Sequence, residues 1–217
     1  MVKNFQDVQY TLTEDGWLVE QGLDKDMIEL DIPSEIDGHP VVQVECSAFR
    51  GFENLESVWL PASIEVVDSY AFSDCISLNA FNCESKDLTI ERSAFDGCKN
   101  LKYFRAEGKV YLSSRAFSGC VNLEEFRGVI ESVGEKTFRK CCSLTQPLQF
   151  ADKMYYFYLN AFENCSVKEL HFEGDLPKDA SLKKDDGAFI HNMCWHCLPN
   201  SNIVDLAYQG FNVCVKE

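Results

Sequence analysis

Leu55-Glu56-Ser57-Val58-Trp59-Leu60 places apolar residues first, fourth and sixth in a six-residue window. The same order returns in Leu101-Lys102-Tyr103-Phe104-Arg105-Ala106 and Val167-Lys168-Glu169-Leu170-His171-Phe172. The second half of each window alternates with period two, which predicts a half-buried strand. Pro33 and Pro61 directly follow two of these windows and would end them, since proline cannot donate a ladder hydrogen bond. A second short strand is predicted at Val42 and Val44, Leu88 and Ile90, Val110 and Leu112, and Tyr155 and Phe157. Glu65 and Glu131 take the earlier position in two copies, while Val67 and Val133 keep the later one.

Between the strands runs a column of phenylalanines: Phe49, Phe72, Phe95, Phe117, Phe138, Phe162 and Phe189, spaced by 23, 23, 22, 21, 24 and 27 residues. A small residue precedes each: Ala48, Ala71, Ala94, Ala116, Thr137, Ala161 and Ala188. Three residues beyond the ring stands Cys75, Cys98, Cys120, Cys141 or Cys165, and three further on Leu78, Leu101, Leu123 or Leu144; the first copy has Phe52 and Leu55. A period this short accommodates one strand and a tight return, not a helix pair. One such unit cannot bury its apolar side alone, whereas stacked units share a continuous core. The pattern therefore predicts a coil with two parallel strand columns, a short helical or turn return carrying the small-Phe pair, and a corner at each junction. At about 4.8 Å per coil, seven or eight coils span about 35 Å.

The chain reads as one domain, 1–217. Residues 1–26 form an N-terminal cap containing a hairpin over Val8 to Val19, turned at Asp15-Gly16. Regular coils fill 27–172, a polar loop 173–187, and a last coil with a C-terminal cap 188–217. The caps hide the ends of the core and the sheet edge.

The stretch Asp31-Ile32-Pro33-Ser34-Glu35-Ile36-Asp37-Gly38-His39-Pro40-Val41-Val42 resembles the opening coil of BspA-like (treponemal type) leucine-rich repeat proteins. The recurring Ala-Phe-x-x-Cys-x-x-Leu, as in Ala94-Phe95-Asp96-Gly97-Cys98-Lys99-Asn100-Leu101, is similar to that family's repeat. The resemblance spans roughly Asp24 to Phe172, and Ala188 to Tyr208 loosely. It implies a right-handed leucine-rich repeat solenoid, α/β or mostly β, with a parallel sheet on its open face and short returns. It also implies frequent placement on microbial cell surfaces, roles in adhesion or protein binding, and no catalytic residues. Two departures stand out. Pro147 falls where an apolar strand residue is expected, and Asn192-Met193-Cys194-Trp195-His196-Cys197 breaks the cysteine column.

Charge then narrows the partner class. The 217 residues hold 35 acidic and 20 Lys or Arg side chains, a formal charge of −15. This argues against phosphate-backbone binding, which wants a basic face. No apolar run reaches the length of a membrane span. Met1-Val2-Lys3-Asn4-Phe5-Gln6-Asp7 has no apolar signal core, so no signal peptide is expected there. The compartment stays open between a cell surface or secreted location, which the resemblance suggests, and the cytoplasm, with which the cysteine usage is compatible.

A partner would meet the sheet face that packing leaves free. Coil by coil the outward positions are Ile28, Glu29 and Asp31; Glu56, Ser57 and Trp59; Asn79, Ala80 and Asn82; Lys102, Tyr103 and Arg105; Glu124, Glu125 and Arg127. Thr145, Gln146 and Gln149 follow, then Lys168, Glu169 and His171, and finally Val204, Asp205 and Ala207. They are expected to form one contiguous patch. Aromatic and arginine residues usually anchor interfaces, so Trp59, Asn82, Tyr103, Arg105, Glu125, Arg127, Glu169 and His171 are the candidate binding surface for a protein or glycan. Self-association through the same face, or a purely structural repeat, is the alternative.

The column cysteines, Cys75, Cys98, Cys120, Cys141 and Cys165, read as buried free thiols, as does Cys83. The total of eleven leaves at least one unpaired in a monomer. Cys194 and Cys197 could be half of a zinc site or a redox dithiol, the remote alternative for function, against a disulfide or plain core packing. His171 beside Glu169 is the one accessible acid–base candidate, weighed below a solvated pair. No catalytic residue, metal ligand or cofactor is assigned.

Overall fold

The computed structural model describes residues 1–182, 193–209 and 211–216; Phe189 lies outside them, as does most of the loop before it. It is a solenoid whose strands join one 16-stranded sheet. The outer column stacks β4 (Glu29–Asp31), β7 (Ser57–Leu60), β9 (Ala80–Cys83) and the first halves of β11 (Tyr103–Leu112) and β12 (Glu125–Val133), all parallel. The second column stacks β3 (Trp17–Gly22), β6 (His39–Val44), β8 (Val66–Val67), β10 (Asp87–Ile90) and the second halves of β11 and β12. It continues as parallel bridges from Val133 to Phe157 and from Tyr158 to Ser181, while the single pair Ile130–Phe150 joins β12 to β13 (Leu148–Phe150), β14 (Glu169–Phe172), β15 (Cys194–Cys197) and β16 (Asn212–Val215). β5 (Glu35–Ile36) pairs antiparallel with β6.

The corner expected between the two columns is absent in β11 and β12, which run straight through it. Shifts of register after Arg105 and after Val110 absorb the difference. Gly108 permits the close pass, because a Cβ there would collide with the Lys86 carbonyl. At the earlier position of the predicted second strand, Tyr155 is 66% exposed, whereas Phe157 at the later one is buried. Conversely Glu131 is buried, and Lys109 Nζ lies 2.6 Å from its carboxylate.

The described rings of the phenylalanine column, Phe49 to Phe162, are buried and stacked at centroid spacings of 5.1 to 5.8 Å with planes within 13°. A second stack, Phe81, Phe104 and Phe126 from the outer strands, meets it edge to face. The preceding Ala48, Ala71, Ala94, Ala116 and Ala161 are buried too, as is Thr137.

The return is a turn ladder. Residues two before the ring (Ser47, Tyr70, Ser93, Arg115, Lys136) and two after it (Gly51, Asp74, Gly97, Gly119, Lys140, Asn164) have φ between 56° and 78°. This alternation aims every second N–H at the next coil. Phe49 donates to the Ala71 carbonyl, Phe72 to Ala94, Phe95 to Ala116 and Phe117 to Thr137, at 2.8 to 2.9 Å. Glycine, Asp and Asn recur after the ring because they tolerate the left-handed region. The buried thiols complete the ladder: Cys75 Sγ donates to the Phe49 carbonyl, Cys98 to Phe72, Cys120 to Phe95 and Cys141 to Phe117, at 3.0 to 3.3 Å. Burial pushes the Cys75 thiol up to about 12 and the Cys83 and Cys165 thiols up to about 11.

At the N-terminus, β2 (Val8–Leu12) and β3 form the expected hairpin, β1 (Val2–Phe5) adds a third antiparallel strand, and β3 lies parallel on β6. Trp17 is fully buried and its indole N–H donates to the Ile36 carbonyl at 2.8 Å. At the other end, 202–209 form a 3-10 helix. Val204, Asp205 and Ala207 therefore sit on a helix rather than on the predicted last strand, a place taken by Cys194–Cys197.

Phe95→Ala removes a ring shared by both stacks and should cost about 3–5 kcal/mol in urea unfolding; exposed Glu124→Ala should stay within about 0.5 kcal/mol. Of the nine free cysteines among the described residues, only Cys46 and Cys142 are exposed. A disulfide-exchange dye should titrate two thiols promptly in native, unreduced protein, and the other seven only on unfolding.

Candidate binding face

Strand register decides which outward side chains meet. Asp31, Trp59, Asn82, Arg105 and Arg127 occupy one row across β4, β7, β9, β11 and β12. Glu29, Ser57, Ala80, Tyr103 and Glu125 form the row beside it. Trp59 is 52% exposed, with Asp31 on one side and Asn82 on the other. A depression of about 520 Å³ runs beside it, lined by Glu29, Glu56, Ser57, Asn79, Ala80 and Lys102 among others.

The arginines are already engaged. Arg105 grips Glu125 with two parallel hydrogen bonds, Nε to Oε1 at 2.9 Å and an Nη to Oε2 at 3.0 Å. Its guanidinium carbon also lies 5.1 Å from the Tyr103 ring centre. Arg127 Nε approaches the same Glu125 oxygen at 2.6 Å, while its side chain stays 69% exposed. The hydrogen bond from Arg105 holds the Glu125 carboxyl below its ordinary range, reinforced by both guanidinium charges. Tyr103, Arg105, Glu125 and Arg127 thus form a single positioned cluster, with Arg127 its most exposed cation.

The strand pairing that orders this face is interrupted, although Arg127, Gln146 and Gln149 still line one depression across the break. Pro147 offers no N–H, and β13 starts one residue later, meeting β12 only at Ile130 and Phe150. Gln146 Nε2 donates instead to the Phe126 carbonyl. Gln149, His171, His196 and Cys214 make a separate row across β13 to β16. Glu169 and His171 hence stand in rows that strand register does not connect to Trp59.

Cys194 and Cys197 stand three apart on β15, so they point to opposite faces. Cys197 is buried with Trp195, whereas Cys194 faces outward with His196. One metal ion or one disulfide cannot use both. Cys194 is bonded to Cys214 instead. The ligand atoms of Glu169, His171 and His196 do come within 4.8 Å of one another.

A model of the BspA type leucine rich repeat region matches residues 26–145 and 128–181, in six copies. The chain belongs to this family. As a BspA type repeat protein it has the solenoid and the parallel sheet that its periodicity predicted. Among solved structures, a leucine rich cell surface protein from Faecalibacterium prausnitzii matches at 21% identity with a TM-score of 0.66. That match covers 79% of this chain and 48% of the other, so the BspA type chain spans about half of that relative. A leucine-rich repeat protein from Bacteroides ovatus matches at 14% identity and TM-score 0.53, over 98% and 67% of the two chains. One from Eubacterium ventriosum matches at 17% identity and TM-score 0.50, over 82% and 54%. These likenesses concern the fold. No curated protein matches the BspA type chain.

Two further groupings were not read from the sequence. Tyr155, Tyr156 and Tyr158 line a cleft of about 680 Å³ with Arg92, Arg115 and Glu135. Three tyrosines within the four residues Tyr155-Tyr156-Phe157-Tyr158 were the available signal, which the reading of Tyr155 and Phe157 as a strand pair passed over. His196 joined His171 only through strand register, which no local motif announces.

Stability should report the Glu125 cluster through pH. A lowered folded pKa adds stability above the unfolded value, near pH 4.3, and loses it as pH falls through the folded value. Glu125→Gln should therefore be less stable by about 1 kcal/mol at pH 7 in urea unfolding, with the gap to wild type closing below about pH 4.

Proposed function

We propose that this BspA type repeat protein binds a protein or glycan through the outward sheet face of its first five coils, without catalysis. The observation that carries the reading is Trp59, a large aromatic left half in water in the middle of a strand ladder. An exposed tryptophan is costly for solubility unless another surface covers it. Asn82 beside it and Tyr103, Arg105 and Arg127 beyond supply an aromatic and arginine set of the kind that dominates interface energetics. Glu125 holds the arginines in place in advance, which reduces the ordering cost of binding. Glu169 and His171 lie outside this contact.

We also propose that the protein works outside the cell. The Faecalibacterium relative is described as a cell surface protein. The Cys194–Cys214 bond supports the same placement, since disulfides persist in oxidising surroundings.

A second copy of the chain could cover Trp59 equally well. Sedimentation velocity across a concentration series separates the readings: a persistent monomer rules out self-association. For the primary reading, wild type, Trp59→Ala and Arg127→Glu are compared on a glycan array and against surface-protein extracts of the source community. Trp59→Ala should retain the wild-type circular dichroism and lose about thirtyfold in affinity, equivalent to about 2 kcal/mol. Equal binding by both variants would remove this face from consideration.

A further inference from the structure

Beyond the Pro147 break, three neighbouring parallel strands present six outward side chains as a grid. Glu169, Cys194 and Asn212 form one row; His171, His196 and Cys214 form the next. Residues two apart on a strand share a face, and adjacent strands stand about 4.8 Å apart. The His171 and His196 rings accordingly lie 4.4 Å apart between centres. Both Nε2 atoms converge on one carboxylate oxygen, Glu169 Oε2, at 3.1 Å from His171 and 3.6 Å from His196.

Two such ligands held by one tetrahedral ion at about 2.0–2.2 Å stand about 3.3 Å apart. The two observed spacings bracket that value. The donor set also has a chemical preference: imidazole suits zinc, copper and nickel, while magnesium and calcium want oxygen throughout. All three side chains retain access to solvent, so an ion can reach them. The strands fix their backbones, so little rearrangement is needed.

We propose that Glu169, His171 and His196 form a site for one divalent transition-metal ion of the zinc class, with a coordination position left to solvent or an incoming ligand. Three protein ligands are the usual count for a zinc site that keeps such an open position. Cys194 and Cys214, within 4.8 Å of His196 as a group, are bonded to each other and do not contribute thiolates in this state. The site is independent of the binding role argued for Trp59.

The test uses untagged, unreduced full-length protein carrying Cys46→Ser and Cys142→Ser, so that exposed thiols cannot bind metal. Zinc is titrated in competition with a chromophoric chelator. About one equivalent should bind, magnesium should not compete, and His171→Ala, His196→Ala and Glu169→Gln should each weaken binding at least about tenfold. His39→Ala should leave it unchanged. Because a variant could disturb the sheet, nitrogen-15 spectra of the imidazoles in the unaltered triad give a second readout: zinc should shift the Nε2 signals of both His171 and His196. Absence of stoichiometric binding, equal binding by the His171→Ala/His196→Ala double variant, or imidazole signals unmoved by zinc would each overturn the site.

Discussion

The spacing between coils has to satisfy two ladders at once. Backbone pairing of parallel strands sets about 4.8 Å per coil, whereas stacked aromatic rings prefer centroids 4.5 to 7 Å apart in offset arrangements. The phenylalanine column meets both conditions, with near-parallel rings 5.1 to 5.8 Å apart and a second stack edge-on to the first. The Ala or Thr before each ring keeps the neighbouring coil close enough for the Phe N–H to reach the next carbonyl. The thiol three residues later has little space and one hydrogen-bond acceptor, the preceding coil's Phe carbonyl, which suits cysteine better than a larger apolar residue. Ring, small residue and thiol are three parts of one packing arrangement.

That interior dictates the exterior. With coils locked in register, each outward side chain is placed beside its counterpart one strand away. A tryptophan therefore neighbours Asp31 and Asn82, two arginines share one glutamate, and two histidines share another. The chemistry differs along the axis because Pro147 interrupts the pairing. On one side the face offers an exposed aromatic and a positioned cation; on the other, imidazoles and a carboxylate. One solenoid thus carries two differently composed groups of outward side chains, one on each side of the break in pairing.

Periodicity made the interior legible, since every coil repeats the same packing problem and a period near 22 residues has few solutions. Features that depend on a single coil were not legible. β11 and β12 run through their corner because Gly108 lets the backbone pass Lys86, and a lone glycine in a sequence signals a turn as readily as a close approach. β1 has no buried residue and is held by its backbone ladder and the Lys3–Asp37 ion pair, so it left no alternation to detect. Pro147 was visible as an exception, but its consequence, the interrupted strand pairing, required knowledge of where β13 resumes pairing. The Cys194–Cys197 spacing looked like a chelating pair until the strand placed the two sulfurs on opposite faces.

The ends of the solenoid show what the repeat cannot do for itself. An interior coil has neighbours on both sides; a terminal coil has one, and its rings and peptide groups would face water. The N-terminal end solves this with antiparallel strands, a buried tryptophan and the indole hydrogen bond to Ile36. The C-terminal end continues the ring stack through Phe150, Phe172 and Trp195, then closes it with Phe211 edge-on to Trp195. It also ties β15 to β16 covalently, across a separation of 20 residues. A loop of that size contributes about 3 kcal/mol by restricting the unfolded chain, roughly the value of one interior aromatic ring. The disulfide thus holds the last strand pair together from the outward face, while Phe211 closes the stack inside.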